Sequence, residues 1–322
     1  MKSSNYAGDL KKVVELAREA GEFVRSSYVH NSYSLIEKKG KRRTINVSDT
    51  ANDIIINKLR GYFPRDGIVS DEKRKYSLAP NTWYVNSLDG KESFLDSNDQ
   101  FSVNIGLCYE GVPVMGVVYN PLTREIYYGI KENGSIKEIE GATYNIKAIR
   151  QKEIDKMGKN HEKFLETLVV PYDFLELNDD QDGMRRKYAS VVSNLHPERI
   201  IRNGSLALGM MKLIEKTNQE ITRTVGFGKE VKNIPRITAD AYVLGIDKPV
   251  SLCSLCAPQA IIEFAEGFVS HIDGTPVSYN SEQSKFVKSD TNPELKLTKN
   301  PIVIAKGKEE SELLQKLISG MI

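Results

Sequence analysis

Three short runs in this chain hold the side chains whose types and spacing could do chemistry. They are Val69-Ser-Asp71-Glu72, the segment Trp83-Tyr-Val-Asn86-Ser-Leu-Asp89-Gly90-Lys91-Glu92-Ser-Phe94, and Ser251-Leu-Cys253-Ser254-Leu-Cys256-Ala-Pro258. Taken singly, each has a plain structural reading. Asp71-Glu72 serves as a solvated turn, Leu88-Asp89-Gly90 as a β-turn, and Ser254 as a helix N-cap. Spacing alone favours those readings. Cys253-x-x-Cys256 invites a redox or zinc role, but one such pair without a second pair of ligands is weak support for zinc. Gly204-Ser205 precedes a helical run and offers backbone N–H groups to a phosphate or a ribose; a tight turn with an N-cap serine accounts for it equally well. The basic run from Glu37 to Arg43 could hold phosphate and reads more simply as a solvated loop. His30, His161 and His196 show no ligand spacing, and packing explains His271 on its apolar strand. The chain has no Walker loop, GxGxxG or GxSxG.

The elements that must position these residues follow from hydrophobic periodicity. From Asp9 to His30, Leu10, Val13, Val14, Ala17, Ala20, Phe23 and Val24 recur at three- and four-residue spacing, the stripe of an amphipathic helix. A second helix runs through Ile54, Ile55, Leu59 and Phe63, with Ser48 or Asp49 as N-cap and Pro64 at its end. Residues 101–107, 112–118 and 125–128 alternate between turn signals and predict an antiparallel meander. Beyond residue 150 the pattern is mixed α/β: helices over 153–167, 206–216 and 258–266, strands over 168–171 and 241–244, and an inserted polar loop over 217–236. The shift near 150 marks a candidate boundary between an N-terminal half (1–150) and a C-terminal half (151–322).

Composition narrows the class. The chain has 322 residues, 40% hydrophobic and 27% charged, which excludes bulk disorder. Its 45 basic against 43 acidic residues leave a net charge of +2, too little to point to nucleic acid or a membrane surface. Three cysteines make no disulfide framework and fit a reducing compartment. Without a signal-type apolar run at the N-terminus or a membrane-length apolar stretch, the expectation is a cytoplasmic protein.

In order along the chain, the three runs resemble the motifs of the inositol monophosphatase superfamily of Mg²⁺-dependent phosphomonoesterases, nearest to its 3′(2′),5′-bisphosphate nucleotidase branch. The family's Trp-x-(Ile/Val)-Asp-Pro-(Leu/Ile)-Asp-Gly-Thr matches Trp83 to Lys91 in spacing. Its Val-Thr-x-Ala-Asp is similar to Ile45–Asp49, its Gly-Glu-Glu to Ser70-Asp71-Glu72, and its Gly-Ser before a helix to Gly204-Ser205. Phe101 to Ile105 and Gly116 to Pro121 follow its two central strands. The nucleotidase-type Trp-Asp-x-Cys-Ala-Pro-Glu-Ala aligns with Cys253 to Ala260, which makes the CxxC incidental, and Glu266 to Gly274 follows the last motif. Asp240 falls in the family's Ala-Asp-x-Tyr strand and reads as structural.

The resemblance implies a layered αβαβα sugar-phosphatase fold, α+β in its N-terminal half, with a metal site between the halves. It also implies where ligands belong. Mg²⁺ takes oxygen ligands, and two such ions can ionise a water and stabilise a leaving oxygen. The family's metal positions fall here on Asp71, Asn86, the Leu88 carbonyl, Asp89 and Ser254, and its water-orienting Thr on Lys91. Two of those carboxylates are therefore an amide and a hydroxyl, and a cation has entered. Ser87 replaces the family's Pro.

The expectation is that Lys91, paired with Asp89 or Asp71, partly replaces Mg²⁺. Hydrolysis is then weakened or lost while Gly90, Lys91, Gly204 and Ser205 still bind a phosphorylated ligand, an adenosine bisphosphate or an inositol phosphate. A protein partner or a homodimer is the other expected association; nucleic acid and membrane are not. The rival expectation is an active enzyme that keeps Mg²⁺, with Asp49, Asp71 and Lys91 at the chemistry and Glu72, Asp49 or Glu92 as substitute ligands.

Overall fold

The first apolar stripe forms helix α1 (Tyr6–Val29), which buries Val13, Leu16, Ala17, Ala20 and Val24. The structure is a computed structural model. It describes residues 6–37, 43–72, 77–146, 167–171, 189–214 apart from 191, 194 and 198, 221–225, 229–234, 241–244, 250–279 and 301–319. After a short antiparallel pair, β1 (Leu35–Glu37) and β2 (Arg43–Ile45), comes α2 (Asn46–Tyr62). The helix starts earlier than an N-cap at Ser48 or Asp49 requires. Ile45 holds the cap position, and both it and Val47 are buried, so packing fixes the entry. Ser48 lies in the first turn, where its hydroxyl donates to the Ile45 carbonyl at 3.0 Å.

A seven-stranded sheet follows. Its strands are β3 (Gly67–Ser70), β4 (Asn81–Asp89), β5 (Ser102–Tyr109), β6 (Val112–Asn120), β7 (Glu125–Ile130), β8 (Gly134–Ile139) and β9 (Ala142–Asn145), adjacent in that order. Only β3 and β4 are parallel; the rest is the expected meander, extended by two strands. One turn of helix, α3 (Lys91–Leu95), links β4 to β5.

The second sheet is built from β10 (Thr167–Pro171), β11 (Arg199–Asn203), β14 (Ala241–Leu244), β15 (Phe268–His271) and β16 (Ile302–Ala305), in the order β11-β10-β14-β16-β15. Strands β12 (Ile221–Val225) and β13 (Lys229–Ile234) form a separate antiparallel hairpin. The described residues of the stretch read as an inserted loop thus pair as a hairpin, which its polar composition concealed. Helices α4 (Leu206–Met211), α5 (Leu252–Phe264) and α6 (Lys308–Ser319) complete the described elements. Helix α4 is shorter than expected, and α5 starts six residues earlier. Pro258 sits inside α5, where periodicity from the sequence made it look like the start. The helix expected over 153–167 lies outside the described residues except for its last residue, which opens β10. The boundary near 150 and Asp240 lie outside them as well.

Alternation along β4 divides the core. Trp83 and Val85 face α1 and α2, while Tyr84 joins the cluster with α4, α5 and the second sheet. A third cluster packs the far side of the second sheet against Leu314 and Ile318 of α6. These three clusters join five layers, αβαβα, the one around α4 and α5 filling the seams on both sides of those helices. The seam between the first sheet and α5 is unusually close. A Cβ on Gly106 would meet the Cys256 Sγ at 2.5 Å, and one on Gly116 would meet the Ala257 carbonyl oxygen at 2.3 Å. Both positions need glycine for that contact.

Candidate functional site

The site forms where β4 ends against β3 and the N-terminal turns of α4 and α5. A register shift in the β4–β5 ladder shapes it: Asn86 pairs with Asn104, but Asp89 pairs with Ser102. Three steps along β4 oppose two along β5. Such a bulge bends the strand and re-aims its side chains, so that Asn86 and Asp89 point into one pocket. The next residue, Gly90, is left-handed (φ 88°), and a Cβ there would meet the Gln100 carbonyl oxygen at 2.3 Å. That turn delivers Lys91 to the pocket within one residue of the strand. Ser87, in the family's proline position, is fully buried and donates to the Ser48 carbonyl at 2.8 Å, locking β4 to α2.

The two altered ligand positions bond to each other. The Asn86 Nδ2 donates to the Ser254 Oγ at 2.8 Å and, weakly, to the Asp89 Oδ1 at 3.4 Å. The Leu88 N–H donates to the Asn86 Oδ1 at 3.1 Å, which fixes the orientation of the amide. Asn86 and Ser254 are both buried. Ser254 is not an N-cap: Ser251 caps α5, its Oγ accepting from the Cys253 N–H at 3.2 Å. The same Ser251 hydroxyl donates to the Asp71 Oδ1 at 2.5 Å.

Lys91 makes its ion pair with Glu72. This corrects the expected pairing with Asp89 or Asp71, although the ammonium is near enough to both to favour their charged forms. The reach of the side chain from the first position of α3 selects Glu72, whose side chain is largely buried. Asp89 spends its other oxygen on α4: Oδ2 accepts from the Ser205 Oγ at 2.6 Å and from the Ala207 N–H at 2.9 Å. Ser205 caps α4 in turn, accepting from the Leu208 N–H, and the Gly204 N–H donates to the Gln100 Oε1 at 2.7 Å. Of the two readings of Gly204-Ser205, the structure displays the turn with an N-cap serine. Ser102 continues the network, 2.9 Å from both the Ser205 Oγ and the Asn104 Oδ1.

Burial is the main influence on the acids. It pushes Asp89 upward against the hydrogen bonds from Ser205 and Ala207. Asp71 is pushed up to about 6, first by burial of the carboxylate and then by Glu72 and Asp89, against Ser251 and Lys91. As a residue Asp71 keeps an exposed side, and solvent there moderates the push. Asp49 lies half-buried in the first turn of α2, with no hydrogen bond or ion pair to Asp71, Glu72 or Asp89.

The donor set can be tested against the Mg²⁺ that the resemblance implies. Among the described residues, no three Asp, Glu, His or Cys side chains stand together to hold an ion. Asn86 turns an N–H donor toward the pocket and its oxygen toward the Leu88 N–H. One Asp89 oxygen already serves two donors. Mg²⁺ needs oxygen acceptors, several of them charged. These residues as arranged do not fit a two-metal centre.

Asn86, Asp89, Ser254, Lys91, Asp71 and Glu72, expected at the site from sequence, are all brought together; Asp49 lies in the first turn of α2, next to Ser48, whose carbonyl accepts from Ser87 of β4. Ser251, Gln100, Ser102 and Asn104 were missed. The signal for Ser102 and Asn104 was the alternation of residues 101–105, which puts both on one face.

The Inositol monophosphatase family matches residues 9–317, and the chain belongs to that family. It is 33% identical over 132 residues to inositol monophosphatase 3 of Solanum lycopersicum, covering 39% of this chain and 48% of that one. To the 3′(2′),5′-bisphosphate nucleotidase CysQ of Buchnera aphidicola it is 33% identical over 144 residues, 42% of this chain and 54% of that one. The chain thus matches about half the length of these curated relatives. Among solved structures, the extragenic suppressor protein suhB of Bartonella henselae superposes with a TM-score of 0.67 at 17% identity, covering 98% and 100% of the two chains. The sugar-phosphatase layering is therefore the fold of this chain. Among the described residues, no helix is long and apolar enough to cross a membrane.

Proposed function

We propose that this chain uses the family's pocket to bind a small phosphorylated molecule through Lys91, with Mg²⁺-dependent phosphomonoester hydrolysis weakened or lost. The observation that carries the reading is the Asn86–Ser254 hydrogen bond, in which two family metal positions satisfy each other. An amide and a hydroxyl bring no charge to hold a dication, and the ammonium of Lys91 supplies a positive charge in its place. That ammonium has three donors, of which Glu72 takes one. A phosphate dianion entering beside Gly90 can accept from the others, the ammonium acting as a point charge rather than a bidentate fork.

The ligand class is drawn from relatives. Curated ones are named inositol monophosphatases and bisphosphate nucleotidases, and solved ones of low identity are described as bound to inositol monophosphate and to 2′-AMP. An adenosine bisphosphate or an inositol phosphate is the candidate ligand. The test is calorimetric titration with 3′-phosphoadenosine 5′-phosphate and with inositol 1-phosphate, with and without Mg²⁺, alongside an assay of phosphate release. Saturable binding that Mg²⁺ leaves unchanged, with negligible release, is the expected result. Binding that requires Mg²⁺, with turnover, would establish the rival active enzyme instead.

A further inference from the structure

The CxxC that the site leaves unused points to a different cysteine pair. In α5, Cys256 sets its sulfur against Cys108 of β5, Sγ to Sγ 3.4 Å, across 148 residues of chain. Cys253, one turn earlier in the helix, lies beside Asp71. The close seam makes the contact: Gly106 lets α5 rest on β5, and Cys108 lies two residues along on the same face of the strand. All three cysteines are free thiols. Cys108 also lines a cavity of about 250 Å³ together with Thr82, Tyr84, Glu110 and Tyr279, and the exposed Leu78 stands at its edge. Cys108 itself is buried, and this cavity is the open space that its residue borders.

We propose that Cys108 and Cys256 are an oxidation site, at which a hydroperoxide entering this cavity converts the two thiols into a disulfide that ties α5 to β5. In the first step the Cys108 sulfur attacks one peroxide oxygen. The O–O bond breaks, Cys108 becomes a sulfenic acid, and the other oxygen leaves as water (or as an alcohol, from an organic peroxide). In the second, the Cys256 sulfur attacks the Cys108 sulfur, the S–O bond breaks, and water leaves with the Cys256 proton. Two thiols and one hydrogen peroxide thus give one disulfide and two waters. A disulfide needs about 2.05 Å between sulfurs, so the pair must close by about 1.4 Å from its present 3.4 Å. Burial pushes the Cys108 thiol upward, which makes the first step slow at neutral pH and faster as pH rises. The tie would hold the helix that carries Ser251 and Ser254 against the first sheet.

The test treats the full chain with hydrogen peroxide at neutral and mildly alkaline pH, blocks free thiols, and maps unreduced peptides by mass spectrometry. The expected result is a fall from three free thiols to one and a peptide joined through Cys108 and Cys256. Thermal unfolding should move upward on oxidation and return with dithiothreitol. The Cys253→Ser variant should still form the link, while Cys108→Ser and Cys256→Ser should each retain both remaining thiols. Three persistent thiols in the folded, treated protein would overturn the proposal. So would a link between Cys253 and Cys256, or oxidation to sulfinic acid without any link.

Discussion

Asn86 and Ser254, 168 residues apart in sequence, meet at 2.8 Å in the floor of the pocket, where the family resemblance places two carboxylates. The pairing explains how each change tolerates the other. A buried amide without an acceptor is costly, and the serine hydroxyl supplies one. Ser254→Ala leaves the Asn86 Nδ2 with only its 3.4 Å contact to Asp89, and should cost about 1–2 kcal/mol in urea unfolding. Asn86→Asp alone would set two buried carboxylates against each other and should destabilise the chain more. The triple change Asn86→Asp, Lys91→Thr, Ser254→Asp should recover Mg²⁺ binding by calorimetry; if it binds no Mg²⁺, these are not the family's ligand positions.

Lys91 and Glu72 form a part-buried ion pair, with side chains 28% and 6% exposed. Removing the cation strands a nearly buried carboxylate. Lys91→Met should therefore cost about 2–3 kcal/mol, discounted from the larger figures for fully buried pairs because the ammonium keeps solvent contact. Adding Glu72→Gln should restore most of that loss. A double-mutant cycle by chemical denaturation reads the coupling directly. If the two losses simply add, the pair does not hold the pocket.

Gly90 is required for two separate reasons: its left-handed backbone and the 2.3 Å approach of the Gln100 carbonyl to any Cβ placed there. Gly90→Ala should lower stability by about 2 kcal/mol or more. It should also weaken phosphate-ligand binding, because the same turn aims Lys91. Unfolding and titration on one preparation separate the two effects.

Glu263 gives a pH signature independent of the pocket. Burial pushes its carboxyl up to about 6, against a 2.8 Å hydrogen bond from the Gln259 Nε2. The folded state then holds this proton more tightly than the unfolded chain, so the stabilisation is complete below about pH 4.5 and is lost as pH rises through about 6. The amount is about 2 kcal/mol. Glu263→Gln should be more stable than the native chain by up to that amount at pH 8 and no different at pH 4. Asp71 and Asp89 are shifted in the same direction and add to the native slope. A difference that is flat with pH would contradict the assignment.

The sequence made particular parts of this fold legible and hid others for physical reasons. The stripe from Leu10 to Val24 and the alternation from Phe101 to Ile105 gave α1 and β5, because burial on one face is written into periodicity. The start of α5 was hidden: every residue of its first ten is buried, so there is no stripe to read, and Pro258 imitated a beginning. Motif order placed Asn86, Lys91 and Ser254 in one pocket. It could not show that Glu72 rather than Asp71 or Asp89 would take the lysine, since that depends on rotamers and on a bulge that spacing does not encode. Nor could it show that Cys256 reaches Cys108. That contact follows from how closely Gly106 lets a helix approach.

The most direct test of a pocket that satisfies itself without the family's metal is a calorimetric titration of the native chain with Mg²⁺, free of phosphate ligand. A pocket held by the Asn86–Ser254 bond and the Lys91–Glu72 pair should give no saturable heat through millimolar Mg²⁺, where the triple Asp/Thr/Asp variant does. Saturable binding by the native chain, at a stoichiometry of one or two ions, would contradict the account.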